Sequence, residues 1–482
     1  MRFGMPVYTV VGCVALAAAS LLAAADPVYD AWAWLVWGRE LTHSGLDLSS
    51  GPSWKPLAVA ITSVLSLFGD AAPSLWLMLV RAAWLLAIVL AARLAWLLTA
   101  PRERHARIAS AAFAALSLLL MLDYDTSWLR QGASGMSEPL LVAIVLGAVH
   151  AGVVARTRAA LVLATLAALL RPEIWPLLAL YGLWCWRREP STRPLLVAFA
   201  LAIPALWLGP ELLTEGSALS GAERAQRGDD GPLRAVAEVA EGVGTLPLLA
   251  AWPLAILAAV TSDRRARVLL AGALAWIAIV ALMAAAGGFA GLPRFMAPAA
   301  AVVGVLGGVG LARLLALAGP AWRAHGLRPT VVTYALAALL VTLAVQVALR
   351  TEQTRQAAQA TARIGHSHDR LRALVRTVGR EQLLRCGDLA TSDVLVRTAL
   401  AWELDAALAD VVSFGRLPRM SGAFVVGPQA PPGLKQSLQG RADLRGRRGE
   451  WSVYSLDCPA TAGSRSSAPD SSLRAGVSGA RR

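Results

Sequence analysis

Residues 26–57 read DPVYDAWAWLVWGRELTHSGLDLSSGPSWKPL. They follow an apolar run, 7–25, that could cross a bilayer, yet they carry Asp26, Asp30, Arg39, Glu40, His43, Asp47 and Lys55 among the tryptophans 32, 34, 37 and 54. Such a stretch is either a helix lying on a membrane surface or the floor of an active site. Trp32, Trp34 and Trp37 do not share one helical stripe, but they suit an interfacial helix with its rings at headgroup depth. An aromatic belt would account for the tryptophans alone. It accounts less well for Asp30, a carboxylate that must sit close to the membrane beside them. If ionised, that carboxylate can take the proton of an acceptor hydroxyl as a general base. Gly51 and Pro52 mark a turn, and Lys55-Pro56 opens a further apolar run, 57–69. That run is too short to span and is expected to lie in the interface or partly re-enter. Lys55 is then placed to meet a lipid phosphate, as part of a reaction or as a plain headgroup contact.

Composition agrees with a membrane setting. The chain has 482 residues, 56% of them hydrophobic, with a mean hydropathy of +0.56. This is more apolar surface than a water-soluble core requires, and it predicts a polytopic membrane protein. The formal charge of +14 would in a soluble protein point to nucleic acid. Here the basic residues crowd into short loops between apolar runs, where they set topology, so a nucleic-acid partner is not expected. Lys55 and Lys435 are the only lysines; the arginine and alanine richness fits a coding bias.

Candidate spans cover 7–25, 73–98, 108–122, 138–155, 159–171, 174–186, 194–213, 245–260, 268–286, 295–317 and 329–348. The fifth and sixth are short and meet at LLRPEIWP, where Pro172 breaks the helix. With the N-terminus inside, the loops PRERHAR (101–107), RTR (156–158), RREPSTR (187–193), TSDRRAR (261–267) and WRAHGLR (322–328) all fall inside, and each is net basic. Outer loops hold most of the acids. The positive-inside rule thus favours about eleven spans with the C-terminal region outside. The first span, with small residues near 23–25, resembles a cleavable signal; a retained signal-anchor is the expectation.

The expected fold class is therefore an all-α polytopic membrane bundle, residues 1–348, followed by a small extracytoplasmic α/β domain, 349–459, and a disordered tail, 460–482. Residues 350–380 look helical, and ADVVSF, SGAFVVG and EWSVYSLDC read as strands. An outside position would let Cys386 and Cys458 form a disulfide, and closing that loop is worth about 4 kcal/mol in the chain-entropy model. Cys13 and Cys185 fall in apolar runs and read as packing residues.

Charges at membrane boundaries are costly, so each is a functional candidate. They gather on the outer side: the opening stretch, then Asp123, Asp125, Arg130 and Glu138, then Arg171 and Glu173, then Arg294. Each also has a plainer account. Glu138 could simply favour a helix dipole, Arg171 and Glu173 could pair with each other, and Arg81 could snorkel. GHSHD, with His366 and His368, lacks a third metal ligand and reads as a solvated helix face. A transporter or flippase would need polar groups continuing to the inner leaflet and matching repeat halves. A glycan-binding protein would not need the clustered outer charges.

The order of DPVYDAW, the lysine-proline step before a run ending in LFGD, MSEPLL, LLRPEIWP and LPRFMAPA resembles the GT-C superfamily of polytopic glycosyltransferases over about residues 5–348. That superfamily includes protein mannosyltransferases, the aminoarabinose transferase of lipid A, and actinobacterial arabinosyl- and mannosyltransferases. The resemblance implies a hexosyl- or pentosyltransferase. It would move a sugar from a polyprenyl-phosphate donor, commonly with inversion, to a glycan, lipid or protein acceptor in an outward cavity. Carried over, Asp30 is the base with Asp26 in reserve. Lys55, Arg171 and Arg294 hold the donor phosphate, while Glu138, Glu173, His43 and Asp123 bind sugar hydroxyls or orient those cations. The family's usual loop sets two acids adjacent or with one residue between them. Asp26 and Asp30 are four apart, so no metal or other cofactor is expected.

Overall fold

The structure, a computed structural model, describes residues 6–43, 45–99, 104–121, 127–226, 231–318, 329–414, 421–431 and 433–458. Helices dominate. The chain opens with α1 (Val7–Ser20), α2 (Tyr29–His43), α3 (Pro56–Ser66), α4 (Ala72–Leu98), α5 (Arg104–Leu119), α6 (Trp128–Ala133), α7 (Ser137–Val153) and α8 (Thr157–Ala168). It continues through α9 (Trp175–Arg188), α10 (Arg193–Glu215), α11 (Ser220–Ala225), α12 (Gly231–Thr245), α13 (Ala251–Thr261), α14 (Arg264–Gly287), α15 (Ala297–Ala318) and α16 (Pro329–Val378).

Every apolar run of the sequence carries a helix. By length and composition, four helical stretches among the described residues are able to cross a membrane: Gly69–Leu98, Pro190–Glu215, Arg264–Gly287 and Pro293–Ala316. Other apolar helices, such as Val7–Ser20, Ser137–Val153 and Thr157–Ala168, are shorter. Small residues let the inner helices approach closely. At Gly310 of α15 an added Cβ would lie 1.8 Å from the Leu254 carbonyl oxygen of α13, and at Gly308 it would lie 2.3 Å from that of Ser110 on α5.

The C-terminal domain adds α17 (Arg380–Arg385), β1 (Asp388–Thr391), α18 (Arg397–Glu403), β2 (Val411–Ser413), β3 (Gly422–Val426), α19 (Leu434–Gln439), β4 (Asp443–Arg448) and β5 (Trp451–Leu456). The sheet runs β2-β1-β3-β5-β4, parallel across the first three strands and antiparallel across the rest. Its register pairs Leu389 with Val411 and Ala423, and Phe424 with Tyr454. Leu371, Leu374, Val375 and Val378 form a buried stripe on α16 at helical spacing, and Gly446 of β4 lies against Leu374 and Val378. The sulfurs of Cys386 and Cys458 are bonded, tying the start of β1 to the end of β5. Residues 459–482, which include the whole of the expected tail, 460–482, lie outside the described residues.

The composition changes near residue 349, but the backbone does not. At about 1.5 Å per residue, the 50 residues of α16 make one rod that leaves the bundle and becomes the spine of the second domain. Arg350, 7% exposed, stands at the crossing. Its guanidinium donates to the carbonyls of Leu120 (2.9 Å), Leu246 (3.0 Å), Thr245 (2.6 Å) and Pro247 (2.8 Å). Two chain turns are thereby fastened to α16.

Candidate active site

The site grows from α2. Asp30 and Trp34 are one turn apart, so they share a face. Gly38 lets α3 lie against that helix: an added Cβ would sit 2.6 Å from the Thr62 carbonyl carbon. Thr62 itself donates to the Trp34 carbonyl at 2.6 Å. The residue before α3 is Lys55, whose extended backbone precedes Pro56. Its ammonium lies 4.7 Å from the Trp34 ring centroid and donates to Ser137 Oγ at 2.6 Å. Lys55 is 7% exposed. Burial lowers its pKa to about 8, Glu138 pulls it back up, Arg171 adds to the depression, and the Asp30 carboxylate is near enough to act on it as well.

Glu138 follows Ser137 in the first turn of α7 and is 2% exposed. Arg171, in the break between α8 and α9, donates to Glu138 at 2.6 Å and to Glu173 at 3.2 Å. Arg294 approaches the same Glu138 oxygen at 3.9 Å. Phe295 is the platform for both arginines, at 3.8 Å from its ring centroid to Arg171 and 5.6 Å to Arg294. Lys55, Arg171, Arg294, Glu138 and Glu173, which arise from four separate segments of chain, therefore meet in one place. The network is not complete. Glu138 Oε2, Arg171 Nε, Glu173 Oε2 and Arg294 Nε are buried without a hydrogen-bond partner, and such atoms are costly unless a ligand or water completes them.

Other expected members stand elsewhere. Asp26 is 5% exposed, and both its oxygens are taken: Trp32 Nε1 (2.9 Å) and His368 Nδ1 (2.5 Å) donate to one, Arg372 (2.6 Å) to the other. Burial would raise the Asp26 pKa, but His368 and Arg372 outweigh it and hold the carboxyl below its ordinary value. His43 ends α2, about 20 Å along the helix from Asp30 at the usual rise. It is exposed, bonded to Thr42 and the Arg39 carbonyl, and takes no part in the cluster. Asp123 lies outside the described residues.

Two plainer readings also need correction. His368 is not on a solvated face, because the α16 face that carries it covers Asp26; His366, beside it, is exposed. Arg81 does not snorkel: it donates to the carbonyls of Ser20 (2.7 Å) and Ala133 (3.0 Å).

With this geometry in view, solved structures supply a comparison. ArnT from Cupriavidus metallidurans superposes with a TM-score of 0.56 over 93% of this chain and 97% of its own, at 17% identity in the apo state. The chain shares the ArnT fold. A second ArnT structure, with undecaprenyl phosphate bound, matches at 0.56 and 16% identity over the same shares of both chains. No protein-family model matches the chain, and no curated protein matches it by sequence. That shared fold, mostly helical with a small C-terminal sheet, agrees with the bundle and appended domain expected from the sequence. The resemblance also pointed to Lys55, Glu138, Arg171, Glu173 and Arg294, and these are brought together; Ser137 and Phe295 join them without having been singled out. Both are sequence neighbours of marked residues, in MSEPLL and LPRFM, and adjacency to a charge at a helix boundary was the signal available.

Proposed function

We propose that the protein is a membrane glycosyltransferase that moves a sugar from a polyprenyl-phosphate donor to a hydroxyl acceptor, on the membrane face that carries the C-terminal domain. The carrying observation is the convergence of Lys55, Arg171 and Arg294 around Glu138, with buried hydrogen-bonding atoms left over. Three cations face two buried carboxylates, so one positive charge is in excess before Asp30 is counted. A lipid phosphate supplies the acceptors that the arginines lack. Likeness in fold to a structure solved with undecaprenyl phosphate supports the same choice of donor.

In this reading the acceptor oxygen attacks the anomeric carbon, and the bond from that carbon to the phosphate oxygen breaks with its electron pair passing to the phosphate. Lys55, Arg171 and Arg294 stabilise the charge that develops there. Asp30, half-buried on the same face of α2 as the Lys55 platform Trp34, takes the acceptor proton. Asp26 is engaged on all sides and does not pair with Asp30, so the base acts alone and the reaction is written without a metal. The domain carrying the disulfide faces the cell exterior, where lipid-linked rather than nucleotide sugars are at hand.

The test is transfer from radiolabelled polyprenyl-phosphate mannose, arabinose and glucose by membranes containing the protein. Asp30→Asn abolishes transfer while the donor still binds. Undiminished turnover in that variant rejects Asp30 as base, and no turnover with any donor rejects the glycosyltransferase reading.

A further inference from the structure

The contacts that fix α2 come from far away in the chain. Asp26 stands where the chain enters α2, and its three donors include His368 and Arg372, one turn apart on the same face of α16. Gly365, a turn earlier, lies directly on the Ala24–Ala25 backbone: an added Cβ would be 3.0 Å from the Ala25 nitrogen. From α18, buried Thr398 donates to the Tyr29 carbonyl at 2.9 Å, next to Asp30, and the Trp402 ring packs 6.1 Å from that of Trp32. Further along α2, Arg39 donates to the carbonyls of Trp402 (3.2 Å) and Ala406 (2.7 Å), and Glu40 accepts from the Leu408 nitrogen at 3.1 Å. Both ends of α2 are thus gripped by the C-terminal domain. The phosphate-side cations, by contrast, take their partners from the bundle: Ser137, Glu138, Glu173 and Phe295.

We infer that Asp26, His368 and Arg372 are positioning residues, through which the C-terminal domain sets the pose of Asp30. The inference rests on the glycosyltransferase reading for its effect on rate, but the clamp itself is a property of the fold. It assigns the domain a part in the chemical step that is separate from donor affinity. Arg372 also donates to Asp369 at 2.5 Å and lies 3.9 Å from Glu403, so its guanidinium is held between three carboxylates, Asp26 among them.

Asp26→Asn, Arg372→Gln and Arg372→Lys test it in full-length protein in nanodiscs. Misplacing a catalytic group by about 1 Å costs up to about 100-fold in rate. The first two variants should therefore lose 10- to 100-fold in kcat with donor KM within about twofold, and Arg372→Lys should recover part of the loss. Amides 32–36 of α2 should exchange faster with deuterium in Asp26→Asn and Arg372→Gln, with α7 and α15 unchanged. Unchanged kcat in both variants, or a parallel rise in donor KM, overturns the inference. If the wild-type protein transfers no sugar from any donor, the functional reading fails on its own, and amide exchange then decides: faster exchange in both variants upholds the clamp, and unchanged exchange overturns it.

Discussion

Glu138 is the residue on which the site's electrostatics turn. Deeply buried, it answers two arginines at once, with Lys55 held on the neighbouring Ser137. Removing one partner of a buried ion pair leaves the others uncompensated and costs about 3–5 kcal/mol. Glu138→Gln should lower unfolding free energy by about that amount in a denaturant titration, whereas replacing exposed Glu352, which pairs only with neighbours on its own helix, should change little. Lys55 makes a prediction about pH. Its ammonium is lowered to about 8, chiefly by burial, so it is charged below that pH and neutral above it. Donor KM should accordingly climb as pH rises past 8, and Lys55→Gln should flatten that climb; an equally steep climb in the variant would remove Lys55 from the phosphate site. Sequence alone marked Lys55, Glu138, Arg171 and Arg294, because charge at a membrane boundary is too costly to be idle. The resemblance ranked Asp30 above Asp26, but the sequence could not show what occupies Asp26, since His368 and Arg372 lie more than three hundred residues away in the chain.

At the scale of elements, α2 and α3 behave as one unit joined at Gly38. A side chain there would collide with Thr62 and push away α3, whose first residue is preceded by Lys55. Gly38→Ala should therefore raise donor KM by about tenfold or more, in contrast to the clamp variants, which act on kcat; a normal KM would show that α3 can yield without moving the lysine. The helices were legible because apolar runs this long have few alternatives. The strands were half legible. β2, β3 and β5 show in their β-branched and aromatic residues, but β4 reads DLRGRR, a charged edge of the kind that sheets use against aggregation and that hydropathy takes for a loop. The rod α16 was read as a span and then a separate helix, since hydropathy marks where lipid ends and not where the hydrogen-bond ladder does. No glycine interrupts it before Gly365.

For the whole molecule, the disulfide is the feature that joins stability to compartment. The bridge between Cys386 and Cys458 closes the loop that contains nearly all of the sheet domain. Its loss should destabilise that domain by about 4 kcal/mol, read as earlier proteolysis of the C-terminal region after reduction. Mass spectrometry of unreduced protein should find the two cysteines linked, with Cys13 and Cys185 free and buried; two free thiols in 386 and 458 would contradict an exterior position. Acid provides a second handle on the assembly. Because Asp26 is held below its ordinary value in the fold, the stability it contributes is present above about pH 4 and is lost as pH falls through its lowered value, so the grip on α2 should loosen there first.

Hydropathy and loop charge, properties of short windows of chain, were sufficient by themselves for the membrane bundle, the change of character near residue 349 and the identity of the costly charges. Tertiary structure decided the rest: which of those charges meet, that Asp26 is spent on a clamp while Asp30 is not, and that His43 stands apart from the cluster. The reason is physical. The cost of placing a charge near lipid is local and can be read residue by residue, whereas the partner that offsets it is chosen by packing between segments distant in the chain.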